Sequence, residues 1–263
     1  MVKAGFIGYG NMGSSLAAGI ASSLSDWKIG VFDIDPDKTK RAETDCGAKV
    51  FGTYEELGSF ADIVVLAVKP QYLEAAANKA GNAFKDKPVI SILAGTSMET
   101  VSAALSTKEV ARFMPNIAAS MHKAVTAVTF SQGAGEQFKN HALQAAEACG
   151  RAVILDEKLF GAFTGLSGSG IAYVFQMIHA MALAGTKQGI PYSSSLEIAL
   201  GTMDGAVQLV SRSGEHPTAL LSRVISPGGT TIEGISQLEK MGLTPAIISA
   251  VEAASMRANE LEK

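Results

Sequence analysis

The sequence predicts an α/β chain: a doubly wound parallel sheet over residues 1–156, followed by an all-α region over residues 157–263. Three observations carry this. An apolar run opens the chain and breaks at Gly8-Tyr9-Gly10-Asn11-Met12-Gly13, before a segment of helical periodicity that reaches about Leu24. Short buried runs then alternate with helical segments as far as Asp156, which is the pattern of a parallel sheet with crossover helices. Beyond Asp156 no run reads as a strand, and long Ala-, Leu-, Ile- and Met-rich segments are separated by loops containing Gly, Ser and Pro.

The order strand, glycine turn, helix has a specific chemistry. Gly8 permits the sharp turn, Gly10 lets main chain approach a pyrophosphate closely, and Gly13 lets the helix pack on the strand, while free N–H groups at the helix start face the phosphates. A second run, Lys28 to Phe32, ends at Asp33, twenty residues past Gly13, where an acid can hydrogen-bond an adenosine ribose. The N-terminal region therefore reads as a Rossmann-type dinucleotide-binding domain with Gly8, Tyr9, Gly10, Asn11, Met12, Gly13 and Asp33 at the cofactor. Pro36 opens a helix bearing Lys38, Lys40 and Arg41, a solvated face from which Lys38 or Arg41 can reach a 2′-phosphate that Asp33 would repel. That contrast leans toward NADH over NADPH without deciding between them.

The remaining elements follow in order. Ala48 to Phe51 reads as a short strand, Tyr54 to Phe60 as a short helix, and Asp62 to Val68 as an interior parallel strand, apolar on both faces. Lys69-Pro70-Gln71 follows at its C-terminal end, the end that faces the ligand in open α/β sheets, so Val68, Lys69, Pro70 and Gln71 are expected to floor the adenosine or pyrophosphate. A helix over 72–84 leads to a strand over 88–93, and Ser97 or Thr96 can cap the next helix. Glu109 to Met114 runs extended into Pro115-Asn116; a strand over 124–131, a helix over 135–149 and a strand over 151–156 complete the sheet.

Composition narrows the partners. Hydrophobic residues make up 47% of the chain and charged ones 18%, so many positions must be buried in a core or between subunits, and an oligomer is expected. The formal charge of -3 and the absence of any basic run give no electrostatic ground for nucleic acid or an anionic membrane. Cys46 and Cys149 are too few for a disulfide framework and lack metal-ligand spacing, so no metal is expected. The nearest approach to a membrane span, Gly170 to Gly185, is short and broken by Gln176 and His179, which suits a helix buried inside protein. With no charged and cleavable apolar leader, the expected location is cytoplasmic.

Two loops in the helical half stand out. Gly165-Leu166-Ser167-Gly168-Ser169-Gly170 precedes an apolar helix expected from about Ala172, and Ser226-Pro227-Gly228-Gly229-Thr230-Thr231 precedes one expected from about Ile232. Both are read as helix N-termini rich in small and hydroxyl residues, which suits a carboxylate held by N–H and O–H groups, and hence a small anionic substrate.

Together with the N-terminal fingerprint, the chain resembles the pyrroline-5-carboxylate reductases along its whole length. The resemblance rests on Gly5 to Gly13, Ala67-Val68-Lys69-Pro70, Met114-Pro115-Asn116, Ser167 to Tyr173, Gly214-Glu215-His216-Pro217 and, most specifically, Ser226 to Glu233. It implies hydride transfer from NADPH or NADH to the C=N of L-1-pyrroline-5-carboxylate, giving L-proline. It also implies a helical domain that dimerises with a second copy, a possible ring of dimers, and a substrate site lined by the Ser226 to Thr231 loop. Within that reading Gly229, Thr230 and Thr231 hold the substrate carboxylate with Ser226 nearby, Thr231 also serves the ring nitrogen or relays a proton, and Asn116 holds the carboxamide or substrate. The chain departs from the family pattern at Ile117-Ala118, where many members have Thr-Pro, and at Ile171, where most have Pro.

Two other readings compete. A 3-hydroxyacid dehydrogenase would need a Lys and an Asn where Val174 and Ile178 stand, and alcohol oxidation requires that proton carrier. A dinucleotide sensor without chemistry would bind the cofactor and leave the second-domain loops as tight turns.

Overall fold

A computed structural model of the chain describes residues 1–262. Eight strands, β1 (Val2–Ile7), β2 (Trp27–Phe32), β3 (Lys49–Val50), β4 (Ile63–Leu66), β5 (Val89–Ser91), β6 (Val110–Met114), β7 (Ala124–Phe130) and β8 (Gly150–Ile154), form one sheet. Their order is β3-β2-β1-β4-β5-β6-β7-β8. Neighbours run parallel except β6 and β7. The reversal has a simple cause: only residues 115–123 separate β6 from β7, too few for the crossover that a parallel return requires.

The apolar pattern of the strands is two-sided because helices cover both faces. On one face Ile63 and Val65 of β4 join Phe6, Val31 and Phe113 beneath α1 (Asn11–Ser23) and α2 (Pro36–Cys46). On the other, Val64 and Leu66 join Val89 and Val110 beneath α3 (Tyr54–Phe60), α4 (Leu73–Ala80) and α5 (Met98–Leu105). A further helix, α6 (Glu136–Glu147), buries Phe138, Ala142 and Ala145 against the first face.

Caps set the helix boundaries. Thr53 and Glu56 form a reciprocal capping box at α3, and the Ser97 hydroxyl accepts from the Thr100 N–H at α5. The helix expected over 72–84 is shorter, since beyond Ala80 the backbone tightens into successive turns, Ala83 N–H to Ala80 C=O and Lys85 N–H to Asn82 C=O.

The described chain divides into two compact units: Met1–Gly168 together with the stretch from Ala254, and Ser169–Ala253. In the first, α7 (Phe160–Phe163) packs Phe160 and Phe163 on Ala127 of β7. Arg112 of β6, 2% exposed, pairs with Glu157 at 3.0 Å and with Glu262, and its guanidinium lies 4.7 Å from the Phe160 ring centre.

The second unit is helical throughout: α8 (Gly170–Lys187), α9 (Tyr192–Ser213), α10 (Pro217–Val224), α11 (Thr230–Lys240) and α12 (Leu243–Leu261) as far as Ala253. Among its described residues only Ala182, Ser195 and Ala199 are buried. Phe175, Ile198, Val207 and Leu209 are more than half exposed. The run Glu157–Lys187 is long and apolar enough by composition to cross a bilayer, with 11% of its most apolar window buried. These helices present apolar surface that the single chain does not cover.

Candidate functional site

The ligand end of the sheet is built where the strand order turns, between β1 and β4. Gly8 leaves β1 with φ +97°, and its N–H donates to Phe32 C=O at 2.8 Å. A Cβ there would stand 2.8 Å from the Ala67 carbonyl oxygen, so only glycine lets the β1–α1 turn lie this close to the β4 loop. At Gly13 a Cβ would stand 2.9 Å from Ala67 Cβ and from Gly8 O, which is the close helix-on-strand packing expected of the third glycine.

Gly10 differs: a Cβ there would meet no protein atom within 4 Å. The space in front of it is open, and α1 points its N-terminus into that space. Its first helical bond runs from Ser14 N–H to Gly10 C=O at 2.8 Å, and no side chain caps the helix, so the amides of Asn11, Met12 and Gly13 precede any helical acceptor. Three open N–H groups at a helix N-terminus, beside a glycine that leaves room, fit a pyrophosphate.

Asp33 stands at the end of β2, but its carboxylate faces the glycine loop. Oδ2 accepts from the Tyr9 N–H at 2.7 Å and Oδ1 from the Asp35 N–H at 2.9 Å, and the side chain is 7% exposed. It braces the second residue of the turn. Asp35 in turn caps α2 by accepting from the Asp37 N–H at 3.0 Å. Lys38 lies 3.8 Å from Asp33 and 3.6 Å from Asp35, and Arg41 pairs with Asp45 at 3.6 Å. Both cations that sequence offered to a 2′-phosphate are thus already engaged by carboxylates, while Ile34 between the two acids is 81% exposed. The Tyr9 ring is buried, and burial pushes its phenol above the ordinary value beside Cys46.

Across the turn, Val68 is half-buried and Lys69, Pro70 and Gln71 are exposed, the last two in a short 3₁₀ turn, Pro70–Tyr72. Farther along the same end, Asn116 follows β6 and is 7% exposed. Its Oδ1 accepts from the Ala118 N–H at 3.2 Å and its Nδ2 donates to Ser167 Oγ at 3.1 Å. This bond joins two motifs 51 positions apart. Ser167 is not among the site residues expected from the sequence, and no periodicity links it to Asn116.

The stretch from Gly165 to Gly170 is not the open helix start expected from its glycines. Residues Thr164–Gly168 form a π-helical turn between α7 and α8, with the Thr164 hydroxyl donating to Phe160 C=O at 2.8 Å. Without a proline, glycine and serine weaken a helix but do not stop it, and the buried Phe160 and Phe163 hold the preceding turn in place. The backbone N–H groups there serve the helix and are not free for an anion.

In the second unit, the Ser226–Thr231 stretch does form an open helix N-terminus. Gly229 is the N-cap of α11 with no side-chain cap, Gly228 turns with φ +67°, and the Gly229 N–H donates to Ser226 C=O at 3.0 Å. A Cβ on Gly229 would collide with the Ser226 hydroxyl. The hydroxyls of Ser226, Thr230 and Thr231 find no hydrogen-bond partner among the described residues, and the helix begins at Thr230, two residues ahead of expectation.

The histidines lie elsewhere. His216 caps α10 through Nδ1, His141 stands edge-on to Trp27, His122 Nδ1 is 3.1 Å from Ala148 O, and His179 Nδ1 is 3.1 Å from the Tyr192 hydroxyl. Glu215 pairs with Arg223 of the same chain at 2.8 Å. A cavity of about 730 Å³ opens at the opposite end of the strands, against Asp26, Asp62, Pro88 and Glu109, away from the glycine loop.

Comparison with known proteins agrees with this construction. A family described as "Pyrroline-5-carboxylate reductase dimerisation" matches residues 157–261, and one described as "NADP oxidoreductase coenzyme F420-dependent" matches residues 3–95. The chain is 35% identical to the pyrroline-5-carboxylate reductase of Aquifex aeolicus, with 99% of this chain and 97% of that protein covered. It is 38% identical to that of Methanosarcina acetivorans, with 99% and 98% covered. Among solved structures it is similar to a pyrroline-5-carboxylate reductase from Coxiella burnetii (TM-score 0.93, 28% identity, 99% and 98% covered). It is also similar to the Plasmodium falciparum pyrroline carboxylate reductase with NADP bound (TM-score 0.87, 28% identity, 100% and 98% covered). With similarity running from the glycine turn through the helical half at these identities, the chain belongs to the pyrroline-5-carboxylate reductase family.

Proposed function

We propose that the chain reduces L-1-pyrroline-5-carboxylate to L-proline, the last step of proline biosynthesis. The observation that carries this is the open amide cradle at the head of α1, in a chain similar end to end to enzymes of that name. When bound, the reduced nicotinamide supplies a hydride to the imine carbon of the ring, C2 of the pyrroline and C5 of the proline formed. The chain's own part is positioning and the exclusion of water, since an iminium carbon needs a close, aligned donor more than a strong acid.

In this reading residues 1–156 form the dinucleotide domain and 157–263 the substrate and dimerisation domain. The amides of Asn11, Met12 and Gly13 receive the pyrophosphate, Gly8 and Gly10 give it room, Tyr9 and Asp33 hold the turn, and Val68 to Gln71 floor the site. The amides of Gly229, Thr230 and Thr231 bind the substrate carboxylate with the Ser226 hydroxyl, and Thr231 hydrogen-bonds the ring nitrogen. NADH is the preferred reductant: Asp33 and Asp35 both flank the Lys38 ammonium, and a 2′-phosphate beside them would add two further negative charges. The exposed apolar faces of α8 and α9 meet those of a second copy, giving a homodimer that can build a ring of dimers. A cytoplasmic setting suits two unpaired cysteines.

The test is spectrophotometric. Purified protein is mixed with NADH or NADPH, racemic pyrroline-5-carboxylate is added, and oxidation of the nicotinamide is followed. Turnover with both and a higher kcat/KM with NADH is the expected result. Binding of the dinucleotide without turnover would overturn the enzyme reading, and a higher kcat/KM with NADPH would overturn the cofactor assignment alone.

A further inference from the structure

The Asn116–Ser167 bond points to a role for both residues that neither motif discloses by itself. Asn116 lies at the C-terminal end of β6, the same end of the sheet as the glycine turn. Three strand spacings, roughly 14 Å, separate β1 from β6, a span suited to the nicotinamide half of a dinucleotide whose pyrophosphate sits at α1.

The direction of the bond is fixed by chemistry. The Ala118 N–H can only donate, so the Asn116 atom facing it at 3.2 Å is the carbonyl oxygen, and the atom facing Ser167 at 3.1 Å is the amide nitrogen. Ser167 Oγ therefore accepts, and its own hydrogen is unspent: the hydroxyl makes no other hydrogen bond among the described residues. Ser167 is half-buried and sits in the π-helical turn Thr164–Gly168, a backbone irregularity of the kind often kept at functional sites. Asn116, with both ends of its carboxamide engaged and its surface almost wholly covered, has little left to offer a ligand directly.

We propose that Ser167 donates its hydroxyl hydrogen to a trigonal oxygen of the bound reactants, with Asn116 as the positioning residue that holds the hydroxyl in that direction. Two sources share this chemistry, the carboxamide oxygen of the nicotinamide and the carboxylate of the cyclic imino acid. The proposal rests on the reductase reading. It gives the dinucleotide unit a hydroxyl donor of its own.

The decisive variant is Asn116→Asp. Its carboxylate still accepts from the Ala118 N–H, so the turn keeps its cap, but the second oxygen cannot donate to Ser167. The Ser167 hydrogen would turn toward that carboxylate and be lost to the ligand. Ser167→Ala removes the donor outright, and Ser167→Thr keeps it.

Steady-state kinetics of the full-length enzyme, with Tm recorded for every variant, form the test. Asn116→Asp and Ser167→Ala should each raise KM for one reactant by about 3- to 10-fold, the range for one neutral hydrogen bond. The double variant should be no worse than either single, Ser167→Thr should remain near wild type, and Tm should stay level across the set. A rise in the KM for dinucleotide identifies the carboxamide as acceptor, and a rise in the KM for imine identifies the carboxylate. Unchanged KM values in Ser167→Ala, or effects that multiply in the double variant, would overturn the proposal. If Asn116→Asp does not fold, the contrast between Ser167→Ala and Ser167→Thr decides alone. A wild-type protein that leaves pyrroline-5-carboxylate unreduced would instead sink the reductase reading, so the two failures are distinct.

Discussion

Gly8 and Gly10 sit two residues apart in one turn, yet the structure assigns them opposite vulnerabilities. At Gly10 the backbone is extended, φ −75° and ψ −173°, and a Cβ would point into open space. Alanine fits that conformation without strain. As an N-cap it is poorer than glycine, at a cost below about 1 kcal/mol, which for a chain of this length is a fall in Tm of roughly 2–4 °C at most. The methyl would, however, occupy the open space through which, in the proposed reading, a pyrophosphate approaches the α1 amides. Losing one charge-assisted hydrogen bond there costs about 1.5–3 kcal/mol, or roughly 10- to 150-fold in dinucleotide Kd. Gly8→Ala should behave in the reverse way. Its φ of +97° costs a non-glycine residue about 1–3 kcal/mol, and the contact of 2.8 Å with the Ala67 carbonyl adds about 1–3 kcal/mol of overpacking. The expected loss of Tm is on the order of 5–20 °C. Thermal melts without ligand, together with fluorescence titration of NADH, measure both quantities on each variant. A Gly10→Ala protein that binds NADH as tightly as wild type would refute the placement of the pyrophosphate.

Two further outcomes follow from buried groups in the first unit. Arg112→Met should lower stability by about 2–3 kcal/mol in urea unfolding, since it strands Glu157 and Glu262, both about 30% exposed at the side chain, and an unchanged midpoint would refute the role given to this cation. Burial pushes the Cys149 thiol up from its ordinary value near 9 to about 11, because the folded chain disfavours the thiolate. Its contribution to stability is therefore whole below about pH 9 and is lost as pH rises toward 11. Tm measured across that window should fall more steeply for wild type than for Cys149→Ala, and parallel curves would contradict the assignment.

Much of the dinucleotide unit was legible in the sequence because its signals are local. The glycine turn, the two-sided apolar run at β4 and the cap at Ser97 each depend on residues within a few positions of one another. Asp33 was legible as a position but not as an orientation, since an acid at the end of β2 reads the same whether it faces a ribose or the Tyr9 amide. The antiparallel turn into β7 follows from a short connection whose hand no periodicity reports. The π-turn at Thr164–Gly168 escaped for a different reason: glycine and serine signal a break, and tertiary anchoring by Phe160 and Phe163 overrode that preference. Arg112 was overlooked because a single cation in the apolar run Val110–Met114 looks like an outward-facing strand residue until its carboxylate partners, 45 and 150 positions away, are in place.

A unit in which five helices bury only Ala182, Ser195 and Ala199 cannot be a self-sufficient product of translation. Its interior is supplied by another molecule, so the yield of finished enzyme depends on encounters between chains and grows faster than their number when they are scarce. Dosage thus becomes a non-linear control on output: halving synthesis would remove more than half of the activity, and an inert sister polypeptide that still offered its helices would draw working ones into mixed pairs.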